Sequence, residues 1–372
     1  MPDYIPLDLS RFRDSGLAAL KPGRYAPIGN QVLRGLPFAI GADPDRCFLG
    51  FGSTLRQAEV EIPIGVAANS VVIAHRLLES GIPDGGPVGE LIAEYVFRYQ
   101  DGDEQRVPIR DRFEISVAPT GWGQLPFRAV PDQSDGLRAR YEGRFGDAGY
   151  RQTEARQGSP LGYFLWAWTN PRPTVPLDRL IVVPKEHRFL IAGVTLGHLD
   201  EHPFVRSGAR MVKITLTDPD DARRPFDLSV EVDRGTATFP YALPGGSTEE
   251  FIADSFAGFG EAQNQQSSPA YVEIAATPSA TIAIKQSDQT VGEAIWGEIE
   301  AKKSVKAMGA RIELVDPGRN WVRTTVLDAD TGQPIPCRIH FRSPEGIPYQ
   351  PHGHHTHVNG NLETWHVDVG GD

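Results

Sequence analysis

The chain has 372 residues, enough for two or three domains that each bury a core of their own. Its formal net charge of −11 argues against binding to the phosphate backbone of nucleic acid, which needs a basic face. The 39 glycines and 31 prolines, together with a hydrophobic content of 40%, predict short strands joined by many turns rather than disorder.

The N-terminal sequence and the cysteines bear on cellular location. Residues 1–6 lack a basic segment followed by an apolar run, so no signal peptide is predicted. The longest apolar run, 189–196, is too short to span a bilayer, and we expect no membrane partner. The two cysteines, Cys47 and Cys337, fall in different predicted domains, which excludes a disulfide framework. These features predict a cytoplasmic protein.

Residues 1–204 are predicted to form a first β-rich domain. Short alternating or apolar runs bounded by Gly, Pro or Asn are typical of strands. Such runs lie at 59–64, 70–75, 94–99, 105–109, 163–168, 180–183 and 189–196. Asp101-Gly102 separates two of them, which is a strong hairpin signal. The polar segment 132–157 is predicted to run over the surface.

Residues 205–318 are predicted to form a second, smaller sandwich-like domain. Its strand-like runs lie at 211–216, 228–233, 271–276 and 281–285. Residues 247–250 have the spacing of a capping box ahead of Phe251, which predicts a short helix at 248–257. The chain shows no regular alternation of strands with helices, so neither a doubly wound fold nor an α/β barrel is expected.

Residues 319–372 are predicted to form part of a third domain. A strand at 322–327, a turn at 328–332 and a return strand at 336–341 make a hairpin. So small a core does not offset the entropy of ordering about fifty residues, so this segment should depend on the rest of the chain, a second copy or a partner. The predicted fold class is all-β, with tandem β-sandwich or jelly-roll domains and a partial C-terminal sandwich.

Motifs in the first domain resemble a known type of module. The motifs are Leu7–Ser10, Arg34–Phe38, Ile62–Gly65, Glu94–Gly102 and Trp166–Pro173. In this order they resemble the jelly-roll, galactose-binding-like modules of bacterial carbohydrate-active enzymes. The resemblance covers about half of the chain and implies a jelly-roll fold and association with glycan enzymes. It implies no catalytic residue.

The C-terminal segment resembles a different family. Asp328–Pro336 is similar to the opening of a carboxypeptidase-regulatory-like sandwich. The continuation through His352–Asn359 is similar to the region preceding the catalytic domain of PHP-type metallohydrolases related to carbaryl hydrolase. In those proteins the metal-binding barrel follows this region. The resemblance therefore implies a non-catalytic front portion whose partner is a metallohydrolase domain or subunit.

Four of the ten histidines, His352, His354, His355 and His357, form the candidate metal site. In an extended chain alternate residues share a face, so these imidazoles fall into two pairs suited to zinc or another divalent transition metal. The preferred interpretation is a polar loop whose histidines bond backbone and water, with a metal site as the alternative. Only 15 residues follow His357, whereas a catalytic barrel needs on the order of 200, so catalysis by this cluster is not expected.

Trp122 is the candidate ligand-binding residue. It lies between two glycines, and an exposed indole ring is a platform on which a sugar face stacks. Trp166 and Trp168 share one strand face and are predicted to lie in the core. The chain has no G-x-S-x-G motif, and neither cysteine has a context that would activate a thiolate, so no catalytic residue is assigned.

These observations favour a non-catalytic ligand-binding or architectural protein. It would position a glycan or small-molecule substrate, or dock a metallohydrolase domain or subunit. One alternative is a metal-dependent hydrolase or polysaccharide lyase that uses the C-terminal histidines. A second alternative is a structural assembly subunit that forms a homo-oligomer, because an open sheet edge is a template for another strand.

Overall fold

The computed structural model describes most of the chain. The described residues are 2–20, 24–120, 125–134, 160–220, 227–237, 253, 268–315 and 325–335, with the backbone of short strands at 136–137, 155–156, 241–242, 337–339 and 367–369. Strand accounts for 47% of the structure and helix for 7%, which confirms the predicted all-β fold class. The predicted helix at 248–257 lies outside the described residues, apart from residue 253.

The strands of the N-terminal half are β1 Tyr4–Pro6, β2 Asn30–Leu33, β3 Leu36–Ala39, β4 Leu49–Phe51, β5 Val60–Val66, β6 Ser70–Leu77, β7 Leu91–Tyr99, β8 Glu104–Arg110, β9 Val130–Pro131, β10 Gly136–Leu137, β11 Ala155–Arg156, β12 Phe164–Thr169, β13 Leu177–Pro184 and β14 Phe189–Gly197. Three short 3-10 helices occupy Ser10–Phe12, Leu17–Ala19 and Ile82–Asp84.

The strands of the C-terminal half are β15 Arg210–Leu216, β16 Leu228–Val232, β17 Gly235–Ala237, β18 Tyr241–Ala242, β19 Ala270–Ala276, β20 Thr281–Gln286, β21 Gln289–Ile295, β22 Ser304–Ala307, β23 Ala310–Leu314, β24 Cys337–Ile339 and β25 Val367–Val369. Helix α1 spans Trp296–Lys302.

The chain divides into two compact units. The first comprises residues 1–134 and 157–205, and the second comprises residues 135–156 and 206–372. The division into domains at 1–204, 205–318 and 319–372 stays a prediction.

The first unit is a sandwich of two antiparallel sheets. Sheet A has the strand order β1-β14-β6-β12-β9, with β4 paired to β14, and sheet B has the order β5-β13-β7-β8. Their facing side chains form one hydrophobic core. Phe97 of sheet B stacks on Trp168 of sheet A with ring centroids 3.7 Å apart, and Tyr95 contacts Trp166 at 5.9 Å. The prediction that both tryptophans lie in the core is confirmed.

Sheet A is buried on both faces. Its second face packs against the β2–β3 hairpin and the N-terminal segment in a separate cluster that includes Phe38, Val72, Tyr163 and Leu190. Every residue of β6 and β14 is therefore buried. This explains why these strands contain consecutive apolar residues, at 71–74 and 189–194, instead of a strict alternation of apolar and polar ones.

Asp132 joins the end of β9 to the segment before β12. Its carboxylate accepts hydrogen bonds from the amides of Leu161 (2.6 Å), Gly162 (2.8 Å) and Tyr163 (2.9 Å). The side chain is buried, and burial raises its pKa even though the three amide bonds oppose the shift. The prediction of a surface segment at 132–157 is wrong at its first residue. Asp132 can be buried because its carboxylate accepts hydrogen bonds from three backbone amides instead of from water.

The second unit contains another pair of antiparallel sheets. Sheet C has the order β17-β19-β15-β23-β22, with β18 paired to β19, and sheet D has the order β16-β20-β21. Helix α1 buries Trp296 and Ile299 in the core that these sheets share. The indole Nε1 of Trp296 donates to the hydroxyl of Ser207 at 3.2 Å.

The turn predicted at 328–332 is present. The Asp328 carboxylate accepts from the amides of Asp330 (3.1 Å) and Thr331 (2.7 Å), and Gly332 adopts a positive φ of 65°. Leu327 forms an isolated bridge with Pro334, and β24 pairs with β25. The rest of the predicted hairpin lies largely outside the described residues.

Candidate functional site

One end of the first unit, which we call the loop end, is built by the connections β6–β7 (78–90), β8–β9 (111–129, described except for 121–124) and β13–β14 (185–188). Neighbouring antiparallel strands run in opposite directions, so alternate connections emerge at the same end. Backbone hydrogen bonds join them. The Gly89 amide donates to the Asp111 carbonyl (3.2 Å), and the Leu78 amide donates to the Arg188 carbonyl (2.9 Å).

Three consecutive residues of β6 anchor residues 114–118 of the β8–β9 connection. In each contact a β6 group meets a loop carbonyl oxygen: His75 Nε2 with Glu114 (2.8 Å), the Leu77 amide with Ser116 (2.9 Å), and Arg76 Nη2 with Ala118. Adjacent side chains of a strand point to opposite faces, so His75 and Arg76 reach the loop from the two sides of sheet A. The loop is therefore held in one position before any ligand arrives.

His75 contributes to this anchoring as a neutral imidazole. It is fully buried, and its Nδ1 lies 2.9 Å from the hydroxyl of Tyr95. The carbonyl of Glu114 only accepts, so Nε2 carries the proton and Nδ1 accepts from Tyr95. Burial lowers the pKa of His75 to about 4. With both nitrogens engaged inside the core, His75 has a structural role and no access to a ligand.

The carboxylate of Glu114 fixes two arginines at the loop end. Although Glu114 is fully buried, it accepts from Arg110 Nη2 (2.8 Å) and Nε (3.2 Å) and from Arg128 Nη1 (3.0 Å). Hydrogen bonding to Glu114 raises the pKa of Arg110. Such charge-assisted, partly bidentate contacts set direction as well as distance. Glu114 therefore holds the two halves of the β8–β9 connection side by side.

An aromatic pair packs against Arg110, one of these two arginines. Phe113 and Phe127 form an edge-to-face pair with centroids 5.2 Å apart, and Phe127 is 61% exposed. The Arg110 guanidinium lies 4.3 Å from the Phe113 centroid, and that of Arg112 lies 5.1 Å from the Phe127 centroid. We call these four residues together with Arg128 the aromatic rim. An exposed, braced aromatic ring flanked by donors can bind an amphipathic ligand such as a sugar.

Beside the rim lies an acidic cluster of Ser80, Glu90, Asp111 and His187. Asp111 is buried and accepts a hydrogen bond from the Ser80 hydroxyl through Oδ2, while its Oδ1 has no hydrogen-bond partner. Burial raises the pKa of Asp111, although the Ser80 bond opposes the shift. His187 Nε2 lies 3.1 Å from a Glu90 carboxylate oxygen, and both side chains are partly exposed. Glu90 and His187 can therefore contact a polar ligand.

The aromatic rim and the acidic cluster meet at Gly89. A Cβ at this position would lie 3.2 Å from the Phe113 ring, and its φ of +90° suits glycine. Glu90 follows Gly89 directly, and the Gly89 amide donates to the backbone carbonyl of Asp111. A ligand lying over Gly89 would meet an aromatic face on one side and carboxylate and imidazole groups on the other.

The chemistry of these groups fits binding better than nucleophilic catalysis. The Ser80 hydroxyl donates to Asp111 and not to an imidazole, so it lacks the base that would activate it. Cys47 is buried, and burial raises its pKa to about 11, so its thiol stays protonated. Within the described residues, no group of three or more His, Cys, Asp and Glu side chains is placed to hold a metal ion.

The site residues predicted from the sequence cannot be placed. Trp122, His352, His354, His355 and His357 all lie outside the described residues, so their roles stay predictions. Trp122 belongs to the same connection as Phe113 and Phe127.

Sequence reasoning missed Phe127 and the acidic cluster. The only local signal was that Asp111 and His187 each lie two residues from a predicted strand, and Phe127 had no such signal. Recognising that they converge requires the strand order, which the motifs do not give.

Comparison with models of known protein families and with curated protein sequences finds no match. No helix in the described part of the chain has the length and apolar character needed to cross a bilayer. The functional argument therefore depends on the geometry of the loop end.

Proposed function

We propose that this chain is a non-catalytic ligand-binding protein whose first unit holds a glycan-type substrate at the loop end. The observation that carries the proposal is the exposed Phe127, braced by Phe113 and Arg112 and placed beside the partly exposed Glu90–His187 pair.

This combination suits a saccharide in two ways. The C–H face of a sugar ring packs on an aromatic face, and its hydroxyls exchange hydrogen bonds with carboxylate, imidazole and guanidinium groups. The anchoring of residues 114–118 supports the proposal, because a surface ordered in advance loses little conformational entropy on binding. The resemblance of the first domain to modules that accompany glycan enzymes supports it as well.

The test is binding of the full chain to an array of neutral and uronic-acid oligosaccharides, followed by calorimetry on the best ligand. Replacing Phe127 with alanine should cost roughly 1 kcal/mol, which is about a fivefold rise in Kd. Tyr25→Ala is the matched control, because Tyr25 is 62% exposed and belongs to none of the three loop-end connections. Trp122→Ala tests the earlier candidate in the same assay.

Two results would refute the proposal. One is the absence of binding to every oligosaccharide of the array. The other is an equal loss of affinity in Phe127→Ala and Tyr25→Ala, because this would point to a general effect of removing an exposed ring. Docking of a metallohydrolase domain or subunit by the same chain stays a prediction.

A further inference from the structure

The aromatic rim carries positive charge although the chain as a whole is acidic. Two of its guanidinium groups, those of Arg110 and Arg128, contact the single carboxylate of Glu114, which gives two positive charges and one negative at this contact. The formal net charge of the chain is −11. A local excess of cations on an acidic protein raises the concentration of anions at that point of the surface.

Arg110 and Arg128 do not share Glu114 equally. Arg110 contacts it through Nη2, Nε and its own backbone amide, and its guanidinium also covers Phe113. Arg128 contacts it through Nη1 alone, and its side chain is 58% exposed. One edge of the Arg128 guanidinium is therefore exposed to solvent. The ion pair with Glu114 fixes the position of this edge. A positioned guanidinium edge is suited to a planar carboxylate or to a sulfate.

The acidic cluster defines the other side of the site. The partly exposed Glu90 carboxylate accepts hydrogen bonds from sugar hydroxyls, whereas Glu90 and the buried Asp111 would both repel an anionic group. The change of sign across Gly89 would therefore orient an amphipathic ligand, with its anionic group toward Arg128 and its hydroxyls toward Glu90 and His187.

We infer that the ligand carries an oxyanion, a carboxylate or a sulfate on its saccharide, and that Arg128 is the residue that selects it. This inference rests on the proposed saccharide function and narrows it to acidic saccharides.

The test uses three matched hexasaccharides: a hexauronate, the same chain after its carboxyl groups have been reduced to neutral sugars, and a sulfated form of the neutral chain. Calorimetry on the full-length protein should give a Kd at least tenfold lower for one or both anionic ligands than for the neutral one. Raising the salt concentration from 0.05 to 0.5 M should weaken anionic binding selectively, because the screening length shortens. This salt series needs no variant.

The variant Arg128→Gln should bring the ratio of neutral to anionic Kd close to one. Arg106→Gln is the matched control. Arg106 is also 58% exposed and also contacts carboxylates, those of Glu94 and Glu104, but it belongs to β8 and not to the rim. Circular dichroism and thermal melts of both variants establish that they are folded.

Tighter binding of both anionic ligands than of the neutral chain supports general recognition of oxyanions. Tighter binding of only one of them identifies whether the recognised oxyanion is a carboxylate or a sulfate. Equal affinity for the neutral and anionic chains would overturn this inference while the saccharide function stands. Failure of all three to bind would overturn this inference, and the saccharide function would fall with it only if the oligosaccharide array also contained no ligand. A preference that survives Arg128→Gln would show that Arg128 does not select the anion.

Discussion

Replacing His75 with glutamine should make the first unit less sensitive to acid. His75 is fully buried, its two ring nitrogens contact Tyr95 and the Glu114 carbonyl, and burial lowers its pKa to about 4. Glutamine keeps a donor that can reach the Glu114 carbonyl and removes the titrating group.

The magnitude follows from the difference in pKa between the folded and unfolded states. Above pH about 6.5 the imidazole is neutral in both states and does not contribute to pH dependence. As the pH falls from about 6.5 toward 4, the unfolded chain binds a proton that the folded chain does not, so stability declines. A shift of about 2.5 pKa units corresponds to a loss of about 3 kcal/mol, which levels off below pH 4. The glutamine variant lacks this loss.

The assay is urea unfolding of wild type and variant, followed by tryptophan fluorescence at several pH values between 7.5 and 4. At pH 7.5 the variant should be less stable by about 1–3 kcal/mol, because the buried Tyr95 hydroxyl loses its acceptor. The difference should shrink or change sign toward pH 4. Burial raises the pKa values of Asp111 and Asp132, whose effects on stability oppose that of His75, but they cancel in the comparison. Parallel stability curves for the two proteins would refute the reasoning.

Two further measurements test the loop end and the C-terminal segment. Replacing Glu114 with glutamine should lower the free energy of unfolding by about 1–3 kcal/mol, because a buried neutral amide cannot replace the charge-assisted hydrogen bonds to two partly exposed arginines. Glu104→Gln, which removes a more exposed carboxylate that also serves two arginines, should cost under about 1 kcal/mol, and equal losses in the two variants would contradict the burial argument. Elemental analysis of the purified protein should find well under one equivalent of transition metal; about one equivalent, lost in the His354→Ala/His357→Ala double variant, would instead establish a metal site.

Many of the strands could be predicted from the sequence, because buried strand residues produce short alternating or continuous apolar runs. The predicted runs at 94–99 and 105–109 correspond to Leu91–Tyr99 and Glu104–Arg110, and the turn between them follows from Asp101-Gly102. Helix α1 was missed because its start has no capping signal. Ile295 occupies the N-cap and makes no side-chain capping bond.

The candidate site was much less predictable. Ser80, Glu90, Asp111 and His187 are scattered over more than a hundred positions, and each looks like an ordinary polar residue of a turn. Only the antiparallel connections of the two sheets bring them to one end. Glu114 illustrates the second difficulty. A glutamate between Phe113 and Ile115 reads as a solvated charge, yet it is fully buried because two arginines neutralise it.

The anchoring of residues 114–118 by His75, Arg76 and Leu77 has a consequence for hydrogen exchange. Surface loops usually open without disturbing the strands that carry them, and their amides exchange quickly. Here the loop cannot leave β6 without exposing two buried polar side chains, one on each face of sheet A. Its opening is thereby coupled to the separation of the sandwich layers. The amide of Leu77, which donates to this loop, should exchange as slowly as those at the centre of β6, through unfolding of the entire first unit.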